Sequence, residues 1–198
     1  MTDMERQLAD LAAEVTRLKD HEDIRQAIYA YARGIDRGDA TLLDPAFHED
    51  AEDDHGNFRG TKHDALAAFA KSAKNPAVSS SVHHIGNILI DLRGDVADVE
   101  TYFMASQRRE EDGKHWIRMR VGRYLDRFEK RDGIWRVARR KVIDDWSSLD
   151  ELAQPAREVG PDNNHGTRGA DDPSRAVTGF ADHHRHPEAR HRADASNS

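Results

Sequence analysis

Three groups of side chains in this sequence could do proton chemistry. They are Asp36 in the stretch Tyr31-Ala-Arg-Gly-Ile-Asp36-Arg-Gly-Asp39, the histidines His83 and His84, and the arginines Arg139 and Arg140. Asp36 follows an apolar residue at the end of a helical pattern and is bracketed by Gly34 and Gly38. A carboxylate carried inward by the apolar face beside it enters a low-dielectric pocket and becomes a usable base. The bland alternative is a solvated aspartate in a helix-ending turn. Strand neighbours point to opposite faces, so His83, Ile85 and Asn87 share one face while His84 and Gly86 share the other. One of the two histidines therefore faces inward, either as a base or as a buried structural residue. Arg139 and Arg140 divide in the same way. An inward arginine cannot lose its proton, so it must meet a carboxylate or stabilise negative charge on a substrate.

The elements that must position these groups follow from periodicity. Met4, Leu8, Leu11, Val15 and Leu18 form a helical seam at spacings of four and three, too short for a coiled coil and suited to packing on the domain or on a second subunit. Ile24, Ala27, Ile28, Tyr31 and Ile35 continue a helical pattern, and Ala40 to Phe47 predicts a third helical segment with Pro45 as its breaker. Ala51 to Phe58 suits an edge strand or a loop, and Asp64 to Lys74 another helix closed by Asn75-Pro76. Four strands then follow, Val82 to Leu92, Val96 to Ser106, Ile117 to Glu129 and Ile134 to Trp146, joined by three short glycine-containing turns. Helices first and an antiparallel meander second predict an α+β domain whose sheet curls over the helices.

Bulk properties narrow the function. The chain has 198 residues, 37% hydrophobic and 34% charged, which suits one compact domain plus a solvated segment. A net charge of -7 argues against nucleic-acid binding, which usually needs a basic surface. With no cysteine, disulfides and thiolate metal sites are excluded. The first residues lack a basic start and an apolar run, and no stretch is apolar enough to span a bilayer, so the expectation is a soluble cytoplasmic protein with no membrane partner.

Taken together, Tyr31–Asp39, Phe47-His48-Glu49-Asp50-Ala51, His83-His84-Ile85-Gly86-Asn87 and Arg131-Asp132-Gly133-Ile134-Trp135 resemble, in order and spacing, the SnoaL-like group. That group belongs to the nuclear-transport-factor-two-like superfamily of cone-shaped α+β barrels. It includes scytalone dehydratase, bile-acid 7α-dehydratase, hexachlorocyclohexane dehydrochlorinase and polyketide cyclases, beside members without known catalysis. The resemblance covers roughly Asp20 to Trp146 and implies N-terminal helices packed in a strongly curved, mainly antiparallel sheet. It also implies a homotrimer and no cofactor. In the lyases of the group, an aspartate ending the first long helix pairs with a strand histidine, and these match Asp36 and His83. Arg140 falls where the dehydrochlorinase has a catalytic arginine, and Tyr31 where the bile-acid dehydratase has a functional tyrosine. That dehydratase's own arginine position holds Ile143 here, which counts against a bile-acid substrate. The implied mechanism has Asp36 orienting His83, His83 removing a proton beside a carbonyl, and Tyr31 or Arg140 stabilising the charge that develops.

His84, Asn87, Asp54 and Trp146 are the candidates for substrate contact, with Asp144-Asp145-Trp146 at the pocket mouth. Asp53 and His55 share one strand face at metal-ligand spacing, but with no third ligand a solvated edge or a supporting role is the better account, and no metal is assigned. The expected organisation is a helical extension over 1–19, the SnoaL-like domain over 20–149 and a polar, largely disordered tail over 150–198. That tail holds His165, His183, His184, His186 and His191, but their irregular spacing does not specify a metal. Expected activity is a cofactor-independent lyase or isomerase acting on a small hydrophobic substrate such as a steroid, polyketide or aromatic catabolite. The alternatives are a non-catalytic ligand-binding protein or a small β-type subunit of a ring-hydroxylating dioxygenase.

Overall fold

The computed structural model describes residues 1–56, 58–152, 165–169 and 171–176. The first two helical patterns fuse into one 35-residue helix, α1 (Asp3–Arg37), because no breaker separates them. Thr2 and Glu5 form a capping box at its start, and Gly38 ends it in the left-handed conformation at φ 62°. Ile24, Ile28 and Tyr31 face the sheet and are fully buried, worth about 1.5–3 kcal/mol apiece for the aliphatic side chains. Lys130 Nζ and Trp135 Nε1 both donate to Asp20 Oδ1 at 2.8 Å, which pins the middle of α1 to the sheet. Towards the N-terminus the seam from Met4 to Leu18 is 47–64% exposed, so it does not pack on the domain.

After Gly38 the chain makes α2 (Ala40–Leu43) and a 3-10 turn over Asp44–Ala46. The helical reading of Ala40 to Phe47 therefore ends early, because Pro45 starts the turn and Phe47 is already extended. Next come β1 (Phe47–Asp54), β2 (Arg59–Thr61) and α3 (Lys62–Ala73). The four long strands are β3 (Val78–Arg93), β4 (Val96–Glu111), β5 (Lys114–Arg131) and β6 (Ile134–Glu151). Asp112 and Asp132 adopt positive φ beside Gly113 and Gly133, the backbone that tight hairpin turns demand.

Sheet order is β2-β1-β6-β5-β4-β3, antiparallel throughout except for the parallel β1–β6 pair. The segment expected as an edge strand is thus interior: β2 takes the edge, and β1 closes against the last strand of the meander. The curl wraps α1 and stops short of a closed barrel, giving the mainly antiparallel cone of helices and sheet that the sequence predicts. Among the described residues, no helix is long and apolar enough to cross a membrane.

Of the tail, 165–169 and 171–176 lie against the end of α1. Arg37 Nη1 donates to the Thr167 carbonyl at 3.0 Å and pairs with Asp172 at 3.2 Å, and Arg33 Nη2 donates to Ser174 Oγ at 2.8 Å. Otherwise the expectation for 153–164, 170 and 177–198, and with it four of the five tail histidines (His183, His184, His186, His191), lies outside the described residues.

Candidate active site

Asp36 sits in the last turn of α1, where the helix dipole disfavours a carboxylate by a few tenths to about 1 kcal/mol. Three donors offset that cost. His83 Nδ1 lies 2.6 Å from Oδ1, the His83 backbone N–H donates to Oδ2 at 2.7 Å, and Ser81 Oγ donates to Oδ1 at 3.2 Å. An ionised carboxylate can only accept, so Nδ1 carries the proton in this contact and the neutral ring keeps its lone pair on Nε2. Two glycines make the placement possible. Gly34 lets α2 approach, since a Cβ there would lie 2.7 Å from Leu43 Cδ2, and Gly38 turns the chain away just after Asp36.

His83 lines a cavity of about 220 Å³ enclosed by the curl. Tyr31, Phe69, Phe103 and Tyr124 supply its aromatic walls, while Arg109, Arg118 and Arg120 add positive charge to the lining. Phe103 stacks on Tyr124 with centroids 4.5 Å apart, and Tyr31 meets Phe47, Phe69 and Tyr124 edge-on at 5.7–6.0 Å. A second, largely apolar cavity of about 350 Å³ shares Ile35, Phe69, Ser72 and Gln107 with the first and is bordered by Arg168 and Gly169 of the tail segment.

Tyr31 is 2% exposed, and burial pushes its hydroxyl up to about 12 even though the Arg140 charge pulls the other way. It therefore stays a neutral O–H donor across the working pH range. Arg140 is fully buried but is absent from the cavity wall. Its Nε and Nη2 donate to Asp126 Oδ1 and Oδ2 at 2.8 and 2.7 Å. The guanidinium carbon lies over the rings of both Tyr31 and Tyr124, 4.1 and 4.4 Å from their centroids. Burial opposes its charge, but Asp126 more than restores it, so the net shift is upward. Ile143 is half-buried on the same strand.

The four other sequence-derived candidates do not gather at this cavity. His84 and Asn87 are exposed, the latter in a bulge of β3 between Ile85 and Ile88. Asp54 pairs with Arg59 at 3.0 Å on the outer face of β1, and Trp146 is 52% exposed on β6. His48 is structural: its Nε2–H donates to the Glu129 carbonyl at 2.8 Å, and burial lowers its pKa. Sequence reasoning passed over Asp126, the partner of Arg140. Register alone would have found it, since the two sit opposite each other on β5 and β6.

Comparisons with known proteins agree with this fold. The SnoaL-like domain family matches residues 16–141. A candidate scytalone dehydratase from Novosphingobium aromaticivorans is 24% identical, with 74% of this chain and 97% of that one covered at a TM-score of 0.61. A type 3 hexachlorocyclohexane dehydrochlorinase from Novosphingobium barchaimii is 16% identical, covering 71% and 94% at a TM-score of 0.59. The Kfla4162 protein from Kribbella flavida is 19% identical, covering 67% and 95% at 0.59. No curated protein matches the sequence. At these identities the solved structures speak for the fold, while the family match spans well over half of the chain. The chain belongs to the SnoaL-like domain family.

Proposed function

We propose that this protein is a cofactor-independent lyase or isomerase of dehydratase type, with His83 as base and Asp36 as the residue that orients it. One observation carries the reading: Asp36 takes the Nδ1 side of a histidine whose ring lines an aromatic cavity. That leaves Nε2 to accept a proton from substrate, and Asp36 stabilises the imidazolium that results. The acidic C–H lies beside a carbonyl. As it breaks, negative charge moves to the carbonyl oxygen, for which Tyr31 in the cavity wall offers a neutral O–H donor beside the positive charge of Arg118 and Arg120. Arg140 acts behind the Tyr31 ring, through its field rather than by touching substrate. Expulsion of a β-oxygen or β-halide then completes an elimination, while return of the proton at another carbon gives an isomerisation. The apolar aromatic walls favour a small hydrophobic substrate, and a volume below the usual 300–1,000 Å³ of ligand pockets favours one or two rings as its reacting part.

A homotrimer in the cytoplasm belongs to the same reading. The exposed seam on α1 offers apolar surface for self-association, and sedimentation of the full chain tests the stoichiometry.

The function is tested with a panel of β-hydroxy and β-halo carbonyl compounds on one- and two-ring frameworks, read by mass spectrometry for loss of water or hydrogen halide. Turnover by the wild type and its loss in His83→Gln is the expected result. Compounds that bind and come back unchanged would make this a ligand-binding protein instead.

A further inference from the structure

A second imidazole–carboxylate pair faces the same cavity. Asp53 and His55 lie two residues apart on the concave side of β1 and just beyond it. His55 lines the cavity with its ring edge-on to Phe69, centroids 5.6 Å apart. Its Nδ1 is 2.7 Å from Asp53 Oδ1, and Asp53 is 1% exposed, so the solvated-edge account of this cluster fails. Among the described residues, no group of three or more metal-ligating side chains includes them.

The two pairs differ in how their carboxylates are satisfied. Asp36 accepts from a hydroxyl, a backbone N–H and a ring N–H, so its charge is stabilised without an imidazolium. Neither oxygen of Asp53 has an aligned hydrogen bond among the described residues, and the close His55 contact is not directed along the N–H. A neutral hydrogen bond weakens steeply with such misalignment, whereas the attraction of an ion pair depends mainly on distance. The charges beside Asp53 within the sheet point the same way, against the opposing charge of Arg109, Arg118 and Arg120 in the cavity wall. Asp126, Arg140 and Asp53 are adjacent across β5, β6 and β1, forming a buried row of one cation between two anions. Arg140 is committed to Asp126 by two hydrogen bonds. The leftover negative charge is costly in a dry interior, and a proton on His55 cancels it.

We propose that His55 is the general acid of this cavity, held as an imidazolium by buried Asp53 and reaching it from the opposite end of the curled sheet to the neutral base His83. β1 and β3 are separated by β6, β5 and β4, so the two rings converge from different walls. The reaction itself rests on the function proposed above. His83 Nε2 takes the proton beside the carbonyl, and the freed electron pair forms the new C=C bond as the C–O bond at the β-carbon breaks. His55 Nε2–H passes its proton to the departing oxygen, giving water and an unsaturated carbonyl. Nothing is oxidised or reduced. His83 ends protonated and His55 neutral, and one proton exchanged through solvent resets both.

Protonation is read without any substrate. The full chain, labelled with ¹⁵N-histidine, gives ring-nitrogen spectra at neutral pH, with His55→Gln and His83→Gln variants assigning the two signals. His55 touches Asp53 and Phe69, shares the cavity wall with Tyr31, His83, Arg109, Arg118 and Arg120, and has the Asp126–Arg140 pair beside its aspartate in the sheet. The expected result is two protonated nitrogens on His55 and one on His83, with Asp53→Asn converting His55 to the neutral ring and leaving His83 unchanged. A neutral His55 in the wild type overturns the proposal, as does an imidazolium that persists in folded Asp53→Asn. Should that variant not fold, the wild-type spectrum decides alone. In turnover, His55→Gln should slow loss of water at least tenfold more than loss of halide, which needs no proton. Equal slowing of both would remove the acid role while leaving His83 as base.

Discussion

Two buried aspartate-centred pairs on the concave side of this sheet are built for opposite ends. Arg140 and Asp126 are locked by two parallel hydrogen bonds, and the guanidinium packs over two tyrosine rings. Asp36 and His83 stand at a helix end with the histidine ring in the wall of a cavity. The first pair cannot exchange a proton, because a guanidinium does not titrate in the working range. The second can, because an imidazole changes charge near neutrality and one of its nitrogens is left for the cavity. Burial of charge therefore does not mark catalysis. What separates scaffold from chemistry is whether the carboxylate's partner can exchange a proton and whether a substrate can reach it.

That distinction can be broken experimentally. Arg140→Met strands Asp126 as an uncompensated buried charge, so it should cost about 3–5 kcal/mol and lower Tm by roughly 10 °C or more. A near-normal melt would mean the pair is not structural. A smaller effect concerns Tyr31, which shares the Arg140 stack. Its hydroxyl is pushed by burial from 10.0 to about 12, so the unfolded chain ionises first as pH rises. The stability tied to it is complete below about pH 10 and lost as pH climbs through about 12, about 2–3 kcal/mol in all. Urea midpoints across that range should fall less steeply in Tyr31→Phe than in the wild type. Smallest of all, His84→Ala and Trp146→Ala remove exposed groups far from the cavity wall and should change stability by under about 0.5 kcal/mol and turnover hardly at all. A large loss of activity in either would redraw the site.

Local signals carried much of this molecule. Asp112-Gly113 and Asp132-Gly133 announced hairpins, and the spacing from Ile24 to Ile35 announced the buried face of α1. The pairing of β1 with β6 was not legible, because it joins residues some ninety apart and no local pattern encodes a parallel neighbour. That one pairing decides the fate of Asp53 and His55, turning a solvated edge into an interior wall. Asp36 and His83 were visible as types and through family resemblance, whereas their contact depends on where Gly38 stops the helix. Arg140 was legible as an inward arginine. Its partner was not, since choosing between a substrate and Asp126 required the register of β5 against β6.

The central claim is that His83 abstracts a proton from carbon under the control of Asp36. Incubating a cyclic ketone with the protein in heavy water, and following deuterium uptake beside the carbonyl by NMR, tests it directly. Wild-type protein should catalyse the exchange, and His83→Gln and Asp36→Asn should each slow it by about 10²–10⁴-fold while keeping a folded melt. Exchange that continues unabated in either variant would contradict the account.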